Sequence, residues 1–571
     1  MPRGSCDPPT SKRAQNRQAV KKGIRSRSSP KLNCRCFPGD TCWPKDGDWN
    51  RLNATLGGRL IKTVPIASIC HDTPWSAYDA ETCAALQSEW ELPATHYESP
   101  SSPMAPFASN MSCDPFSPRQ TPCTLGNYAS YSINASSTEH FRVALSFVRQ
   151  HNLRLVVKNT GHDYMWKSTG AGSLSLWTHN MRDTSVIDYE APHYRSKALR
   201  VSAGVMNSEA QAAAHEHGLF IIGGNCPTVG IAGGYTQGGG HGNLASAYGL
   251  AADQVLEWEV MTANGDLLRA TPTLNSDLYW ALAGGGGGTF GIVASVTVKA
   301  YETMPFAAAR LSFAPQQSTT DAFYEAVHKL ITTTPRATAA GVAGTWLLTH
   351  NIFYMDRMVA PNMTSDELVG FLSPTVEYVK DRNISLIEYT TNTYPSYYAT
   401  QQALGEINFT QYHIGSHFVP SHLVQDVSDT SVIDTLRFVA EAGGAIAGVF
   451  LDASKPPSVP NSAHPSWREA ALLLVYALPY DRYDYDANVQ AQKQITELFG
   501  PKFEELAPGA GSYLNEADLY QPNWQHAFYG SNYKKLLRIK KKYDPDNILF
   551  ARMGVGSEEW EIQPDGRLCK L

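Results

Sequence analysis

The sequence contains no run of 18 apolar residues, the length a membrane-spanning helix requires. Its most apolar stretch, Ala445 to Leu451, is short and flanked by Glu441 and Asp452. A basic excess is also missing: 47 Lys and Arg stand against 53 Asp and Glu, for a net charge of −6. That excludes a chain built to neutralise nucleic-acid phosphates. No paired C-x2-C ligands occur, and no histidines crowd the cysteines, so a zinc site has no ligand set. Neither an apolar leader after Met1 nor an internal repeat is visible. Wholesale disorder is excluded as well, because 43% of the 571 residues are hydrophobic and only 18% are charged. The length implies three or four domains of ordinary size, or two large ones.

Cysteine is unevenly spread. Seven cysteines fall between Cys34 and Cys123, in sequence rich in Pro, Gly and aromatics. Disulfides are the expected reading, in an irregular cap over residues 34–123. Six N-x-S/T sequons (Asn53, Asn110, Asn134, Asn362, Asn383 and Asn408) point the same way, towards a secreted glycoprotein. Residues 1–33 carry nine Lys and Arg and one acidic residue, and read as a disordered basic tail.

The periodicity then changes. Ser136 with Glu139 predicts a capping box, and Phe141, Ala144, Leu145 and Val148 follow at helical spacing. Leu153 to Val157 reads as a strand. Val201 to Gly204 reads as another, followed by a helix capped by Asn207 and ended by Gly218, then a strand at Phe220 to Ile222. Strands are expected at Val255 to Thr262, at Leu267 to Ala270 after the turn Asn264-Gly265, and at Ile292 to Lys299. Residues 304–505 read as a separate α+β domain with an antiparallel sheet. Asn532 to Tyr543 reads as a basic helix that stops at Asp544-Pro545.

Three glycine-rich segments carry the chemistry. One is Lys158-Asn159-Thr160-Gly161-His162-Asp163-Tyr164. The second begins Gly223-Gly224-Asn225-Cys226-Pro227-Thr228-Val229-Gly230 and runs through Gly233-Gly234 to Gly238-Gly239-Gly240-His241-Gly242. The third is Gly284 to Gly291, which leads into Ile292. Without a Cβ, backbone N–H groups can cradle a pyrophosphate, so a nucleotide cofactor is the expected ligand. No Walker A lysine follows any of them, and the third leads into a strand where a dinucleotide fingerprint requires a helix.

The stretches VVKNTGHDY, GGNCPTVGIAGGYTQGGGHG, LAADQVLEWEVMTANGDLL, SDLYWALAGGGGGTFGIV and NYKKLLRIKKKYDPDNILF resemble the berberine-bridge-enzyme-like branch of the vanillyl-alcohol-oxidase superfamily. The Cys-rich start resembles its fungal secreted members. The resemblance implies an α+β fold: a two-lobed FAD-binding domain of the p-cresol-methylhydroxylase type over residues 124–303, a substrate domain with a large antiparallel sheet over 304–505, and a C-terminal segment, 506–571, that returns to the FAD domain. It implies FAD bound covalently, with His162 on the 8α-methyl and Cys226 on C6. It also implies cofactor contacts from Lys158, Asn159, Thr160, Gly161, Asp163, Thr228, Gly230, Gly233, Gly234, Gly238, Gly239, His241, Gly242, Ile292 and Asn515.

Hydride removal needs a base beside the flavin. Tyr164 matches an active-site tyrosine of relatives, though packing alone would also account for it. Glu516 stands where relatives have a second tyrosine; it reads either as a desolvated base or as an outward salt-bridge partner. His413 and His417 are candidates for the substrate wall or for structural histidines. Val229 matches the family's oxygen-gate position in its oxidase form, which implies dioxygen as electron acceptor and hydrogen peroxide as product. A small organic substrate is expected, with no nucleic-acid or membrane partner, and the chain reads as a monomer. Three readings stay open: an oxidase, a flavoprotein of oxidative cyclisation or pericyclic chemistry, and a non-catalytic binding protein.

Overall fold

The computed structural model describes residues 33–105, 107, 112–316, 318–405 and 411–571. The basic stretch ahead of Asn33 and the sequons at Asn110 and Asn408 lie outside the described residues.

Residues 34–123 are more regular than their composition suggests. They hold two ten-residue helices, Asp46–Thr55 and Ala80–Glu89. The first places Trp49 and Leu52 in the core of the following lobe, because an amphipathic turn of this kind must bury its apolar face. That lobe is a four-stranded sheet. Strand β1 (Leu60–Lys62) pairs antiparallel with β2 (Tyr131–Asn134). β2 and β3 (Arg154–Lys158) each run parallel to β4 (Ser173–Trp177). Helix α1 (Thr138–His151) crosses between β2 and β3 and buries Phe141, Ala144, Leu145 and Val148, as their spacing requires. The expected capping box is absent. Ser137 is the N-cap residue, and the Ser136 amide donates to Nδ1 of His140 instead.

The second lobe is built on β5 (Thr184–Ala191), β6 (Tyr194–Ser202), β7 (Leu219–Ile221), β8 (Val255–Met261), β9 (Leu267–Ala270) and β10 (Ile292–Glu302). The strand order is β9-β8-β10-β6-β5, with β7 on the end of β10. Met261 and Ile292 of this sheet share a core with Leu155 and Leu174 of the first, so the two lobes pack through one apolar layer. Helix α2 (Asn207–His215) does not take Asn207 as its cap. Met206 is the N-cap residue, with its amide bonded to the Glu209 carboxylate at 2.8 Å. The Asn207 side chain is instead recruited by the neighbouring glycine loop, where Nδ2 donates to the Gly224 carbonyl at 2.8 Å.

A third sheet has seven strands, all antiparallel: β11 (Phe306–Ala314), β12 (Ala343–Leu348), β13 (Phe353–Pro361), β14 (Ser385–Tyr394), β15 (Tyr412–Pro420), β16 (Ala445–Phe450) and β17 (Ala470–Pro479). Their order is β14-β11-β13-β12-β16-β17-β15. Helices Thr320–Ala339, Ser365–Asp381 and Ser431–Glu441 cover one face, where residues such as Phe313, Trp346, Leu474 and Tyr476 form a second large core. The other face turns towards the glycine loops.

The chain's end closes the molecule. Helix Tyr533–Tyr543 carries Lys540 fully buried, its ammonium bonded to Asp544 at 2.6 Å and to the carbonyls of Thr289 and Leu549 at 2.8 Å each. This buried pair anchors the C-terminal segment against the third glycine loop. Among the described residues four disulfides are present: Cys36–Cys42, Cys70–Cys83, Cys113–Cys123 and Cys34–Cys569. The last joins residues 535 apart and sits in a small sheet where Asn33 and Cys34 pair with Lys570 and Cys569. A cross-link over so long a loop removes the most freedom from the unfolded chain, worth about 2–5 kcal/mol. Replacing both Cys34 and Cys569 by Ser should lower the midpoint of thermal unfolding and leave the far-UV circular dichroism of the folded state unchanged; calorimetry and dichroism together check this.

Candidate active site

Three chain segments converge between the second lobe and the seven-stranded sheet: the loop after β3, the long loop after β7, and the stretch from Ser512 to Asp518. In the first, the Lys158 ammonium is buried and turned towards the N-terminal segment, donating to the carbonyls of Ser99 at 2.9 Å and His96 at 3.3 Å. Burial lowers its pKa to about 7. Asp163 organises the loop that follows: its carboxylate accepts from the amides of Met165 at 2.9 Å and Ser168 at 2.8 Å, and from that of Lys167. Asn159 donates to the Ala203 carbonyl at 2.9 Å and lies against Gly230, where a Cβ would meet its Nδ2 at 2.1 Å. Glycine at 230 therefore lets the first two loops touch. Thr160 and Gly161 are buried, and the Gly161 carbonyl accepts from the Met104 amide of the N-terminal segment at 3.1 Å.

That contact brings the two predicted attachment residues together. His162 Nε2 lies 2.7 Å from the Thr228 hydroxyl. Cys226 Sγ lies 3.5 Å from the same hydroxyl and 3.8 Å from His162 Nε2. Cys226 is outside the four disulfides. Burial, with the Lys158 and His96 charges adding to it, lowers the pKa of His162 to about 3. Its imidazole is thus neutral at working pH, with a lone pair available for bonding to carbon.

Farther along the second loop, Gly242 packs so tightly that a Cβ would meet the Gly223 carbonyl oxygen at 2.2 Å. Gly233 has no atom within 4 Å of where its Cβ would stand, and Gly234 is exposed. Gly238 and Gly239 are buried behind them. Asn515 meets this stretch, donating to the Gly234 carbonyl at 2.8 Å and to the Tyr513 hydroxyl at 2.7 Å. An open, Cβ-free surface faced by loop backbone, a neutral histidine and a thiol suits a flat nucleotide cofactor. Ile292 is 1% exposed and its side chain belongs to the core between the lobes, so it has only backbone to offer a ligand. Val229 is half-buried against the second-lobe core.

Glu516 faces inward. One carboxylate oxygen lies 3.0 Å from Nε2 of His241, whose ring meets Tyr513 edge-on. Tyr164 is close enough for the Glu516 charge to act on it: burial first, then Glu516, raises its phenol pKa well above the ordinary value. Tyr164 also lines a narrow cleft of about 20 Å³ with Phe107, Trp166, Tyr412, His413 and Tyr480. No Asp, Glu, Lys or Arg lines it among the described residues. His413 is on this wall, held by Asn488 at 3.0 Å and Gln492 at 3.3 Å, and burial lowers its pKa. His417 is not; its Nε2 bonds the Ala507 carbonyl at 2.9 Å inside the domain. Sequence reasoning missed Trp166, Tyr412 and Tyr480. Trp166, two residues past Tyr164, and Tyr412, next to His413, lay beside stretches already singled out; Tyr480 did not.

A family profile described as "FAD binding domain" matches residues 129–271, and one described as "Berberine and berberine like" matches residues 512–555. The site is therefore that of an FAD-binding oxidoreductase. The chain is 42% identical over 547 residues to the FAD-linked oxidoreductase sor8 of Hypocrea jecorina, covering 95% of this chain and 94% of that one. The crystal structure of the VAO-type flavoprotein MtVAO615 from Myceliophthora thermophila superposes with a TM-score of 0.90 at 40% identity, covering 94% of this chain and all of the other. At 19% identity and a TM-score of 0.62, the fold extends to the glucooligosaccharide oxidase of Acremonium strictum, covering 75% of this chain and 92% of that one. The chain belongs to the berberine-bridge-enzyme-like, VAO-type family of fungal FAD-linked oxidoreductases.

Histidines kept neutral by burial make the fold acid-sensitive: His162 in the site, His96 bonded to the Trp90 carbonyl at 2.7 Å, and His464, stacked on Phe418 and bonded to the His526 carbonyl at 3.2 Å. His162 at about 3, and His96 and His464 at about 4, all lie below the 6.5 of an unfolded histidine. Between those values the unfolded chain binds more protons, so stability falls as pH falls from 6.5 towards 4, by about 1.4 kcal/mol per pH unit for each histidine. The thermal midpoint of flavin-free protein should drop over this range, and His464→Gln should make the drop shallower; scanning calorimetry between pH 4 and 7 checks both.

Proposed function

We propose that this chain is an oxidase that removes hydride from a small organic substrate, with FAD held covalently through His162 and Cys226 and dioxygen as the final acceptor. The observation that carries the reading is the adjacency of Glu516 and Tyr164 beside the His162–Thr228–Cys226 contact. The relative from Acremonium strictum is described as carrying a 6-S-cysteinyl, 8α-N1-histidyl FAD, which supports the same two attachments here.

Bound FAD supplies the two-electron acceptor. The chain's residues do the rest. Asn159, Thr160 and Gly161 offer the loop that holds the pyrophosphate, and Asn515 with Gly233 and Gly234 the surface under the ring system. Glu516 takes the substrate proton. His241, as its Nε2–H tautomer, donates to one Glu516 oxygen at 3.0 Å and leaves the other to receive that proton. The Tyr164 phenol stays protonated and donates to the reacting oxygen of the substrate, because burial keeps its pKa high. Phe107, Trp166, Tyr412 and Tyr480 exclude water from the cleft. Four disulfides fit an oxidising compartment, and Asn362 and Asn383 are exposed at turns with φ of 54° and 52°, accessible to glycosylation. We read the protein as secreted.

Glu516→Gln should retain flavin and slow its reduction by substrate about 10²- to 10⁴-fold, the usual range for a lost general base. Anaerobic stopped-flow measures this step alone. Unchanged reduction in Glu516→Gln with slow reduction in Tyr164→Phe would transfer the base role to Tyr164.

Val229 tests the acceptor. One more methylene in a packed wall closes a space the size of dioxygen. Val229→Leu should slow reoxidation by air about tenfold, roughly 1.4 kcal/mol of barrier, and leave reduction nearly unchanged. Equal slowing of both half-reactions would indicate a distorted flavin site instead.

A further inference from the structure

Arg357 lies in β13 with 2% of its side chain exposed. Its Nε donates to Asp356 at 2.6 Å. Its two terminal nitrogens go to backbone carbonyls, Nη1 to Asn225 at 3.3 Å and Nη2 to Gly405 at 3.2 Å. The Asn225 carbonyl belongs to the peptide that enters Cys226, 132 residues away in sequence. The same loop is held from the opposite side: Asn207 Nδ2 reaches the Gly224 carbonyl at 2.8 Å and the Cys226 carbonyl at 3.4 Å. Three successive carbonyls around the thiol are therefore fixed, two by helix α2 and one by Arg357, with Gln401 Nε2 adding a 3.5 Å contact to the Gly224 carbonyl. A guanidinium is a rigid planar fork, so it fixes both carbonyls in one geometry, which a lysine cannot do. A buried cation that spends its fork on main-chain oxygens is expensive to desolvate unless the loops it joins need that spacing.

Among the described residues, the chain beside His162 bonds to the N-terminal segment and the second lobe: Lys158 donates to the Ser99 carbonyl, the Met104 amide donates to the Gly161 carbonyl at 3.1 Å, and Asn159 donates to the Ala203 carbonyl at 2.9 Å. The His162 ring itself meets Thr228.

We propose that Arg357 is a positioning residue for the bond between Cys226 and the flavin, so that this second attachment forms only once the substrate sheet has docked, whereas attachment at His162 does not wait for it. The proposal rests on the reading of Cys226 as a flavin ligand. The bond replaces S–H and C6–H by one S–C6 bond; the two hydrogens with their electrons reduce the flavin, and dioxygen then removes them as hydrogen peroxide. Freed from Arg357, the Asn225–Cys226 peptide can rotate, and the thiol spends less time in reach of C6.

The test is mass spectrometry of flavin-bearing peptides from wild type, Arg357→Met and Arg357→Lys, with the visible absorption spectrum as a second signature. In Arg357→Met, the His162 linkage should stay near wild-type occupancy while the Cys226 linkage falls about tenfold, the scale of one lost charged hydrogen bond. Arg357→Lys should lie between the two, since its ammonium reaches one carbonyl but not both. Wild-type occupancy of the Cys226 linkage in Arg357→Met overturns the proposal, as does equal loss of both linkages, which marks a merely structural arginine. Should Arg357→Met fail to fold, Arg357→Lys carries the test: full Cys226 occupancy there overturns the proposal. A wild-type protein without the Cys226 linkage instead removes the reading of Cys226 itself, whatever the variants do.

Discussion

The approach of the loop after β3 to the loop after β7 is the contact on which the site depends. Its centre is the Thr228 hydroxyl, within 2.7 Å of His162 and 3.5 Å of Cys226. It exists because Gly230 presents no Cβ to Asn159. Each loop is the end of a strand in a different lobe, so the contact forms only when the lobes pack through the shared Met261, Ile292, Leu155 and Leu174 layer. The N-terminal segment adds a third support, because Lys158 donates to its carbonyls from directly beneath the first loop.

Burial governs the electrostatics of this region. It makes His162 a neutral base and Tyr164 a lasting proton donor, opposite consequences of the same removal from water. Ionised groups inside are either paired, as with Lys540 and Asp544, or Arg357 and Asp356, or held by main-chain carbonyls, as with Lys158 and Arg154. Those pairs sit at joints between segments far apart in sequence. Those two pairs are placed where the chain closes on itself, and among the described residues no charged side chain lines the cleft.

Local structure was legible wherever one periodicity prevailed. The apolar face of α1, the hairpin at Asn264-Gly265 and the strand from Ile292 follow from spacing and turn chemistry. Caps were less legible, because a polar side chain at a helix start has competing partners. Asn207 has the right character for a cap, yet the Gly224 carbonyl takes its amide. The cysteines showed a similar limit. Seven in the N-terminal quarter cannot all pair among themselves, and the partner of Cys34 proved to be Cys569 at the other end of the chain.

By itself, the sequence determined the chemistry available: three glycine-rich loops for a nucleotide, a histidine and a thiol in motif positions, and a carboxylate, Glu516, where the family resemblance leads one to expect a phenol. These are matters of residue type and short spacing, which a linear chain displays. Only the tertiary structure decided that Glu516 turns inward to His241, that His413 but not His417 meets the cleft, and that Arg357 reaches across to the peptide before Cys226. Each of these depends on which of two faces a strand or loop turns to a partner tens or hundreds of residues away. That choice is set by the packing of whole sheets and lobes, and no local pattern of residues encodes it.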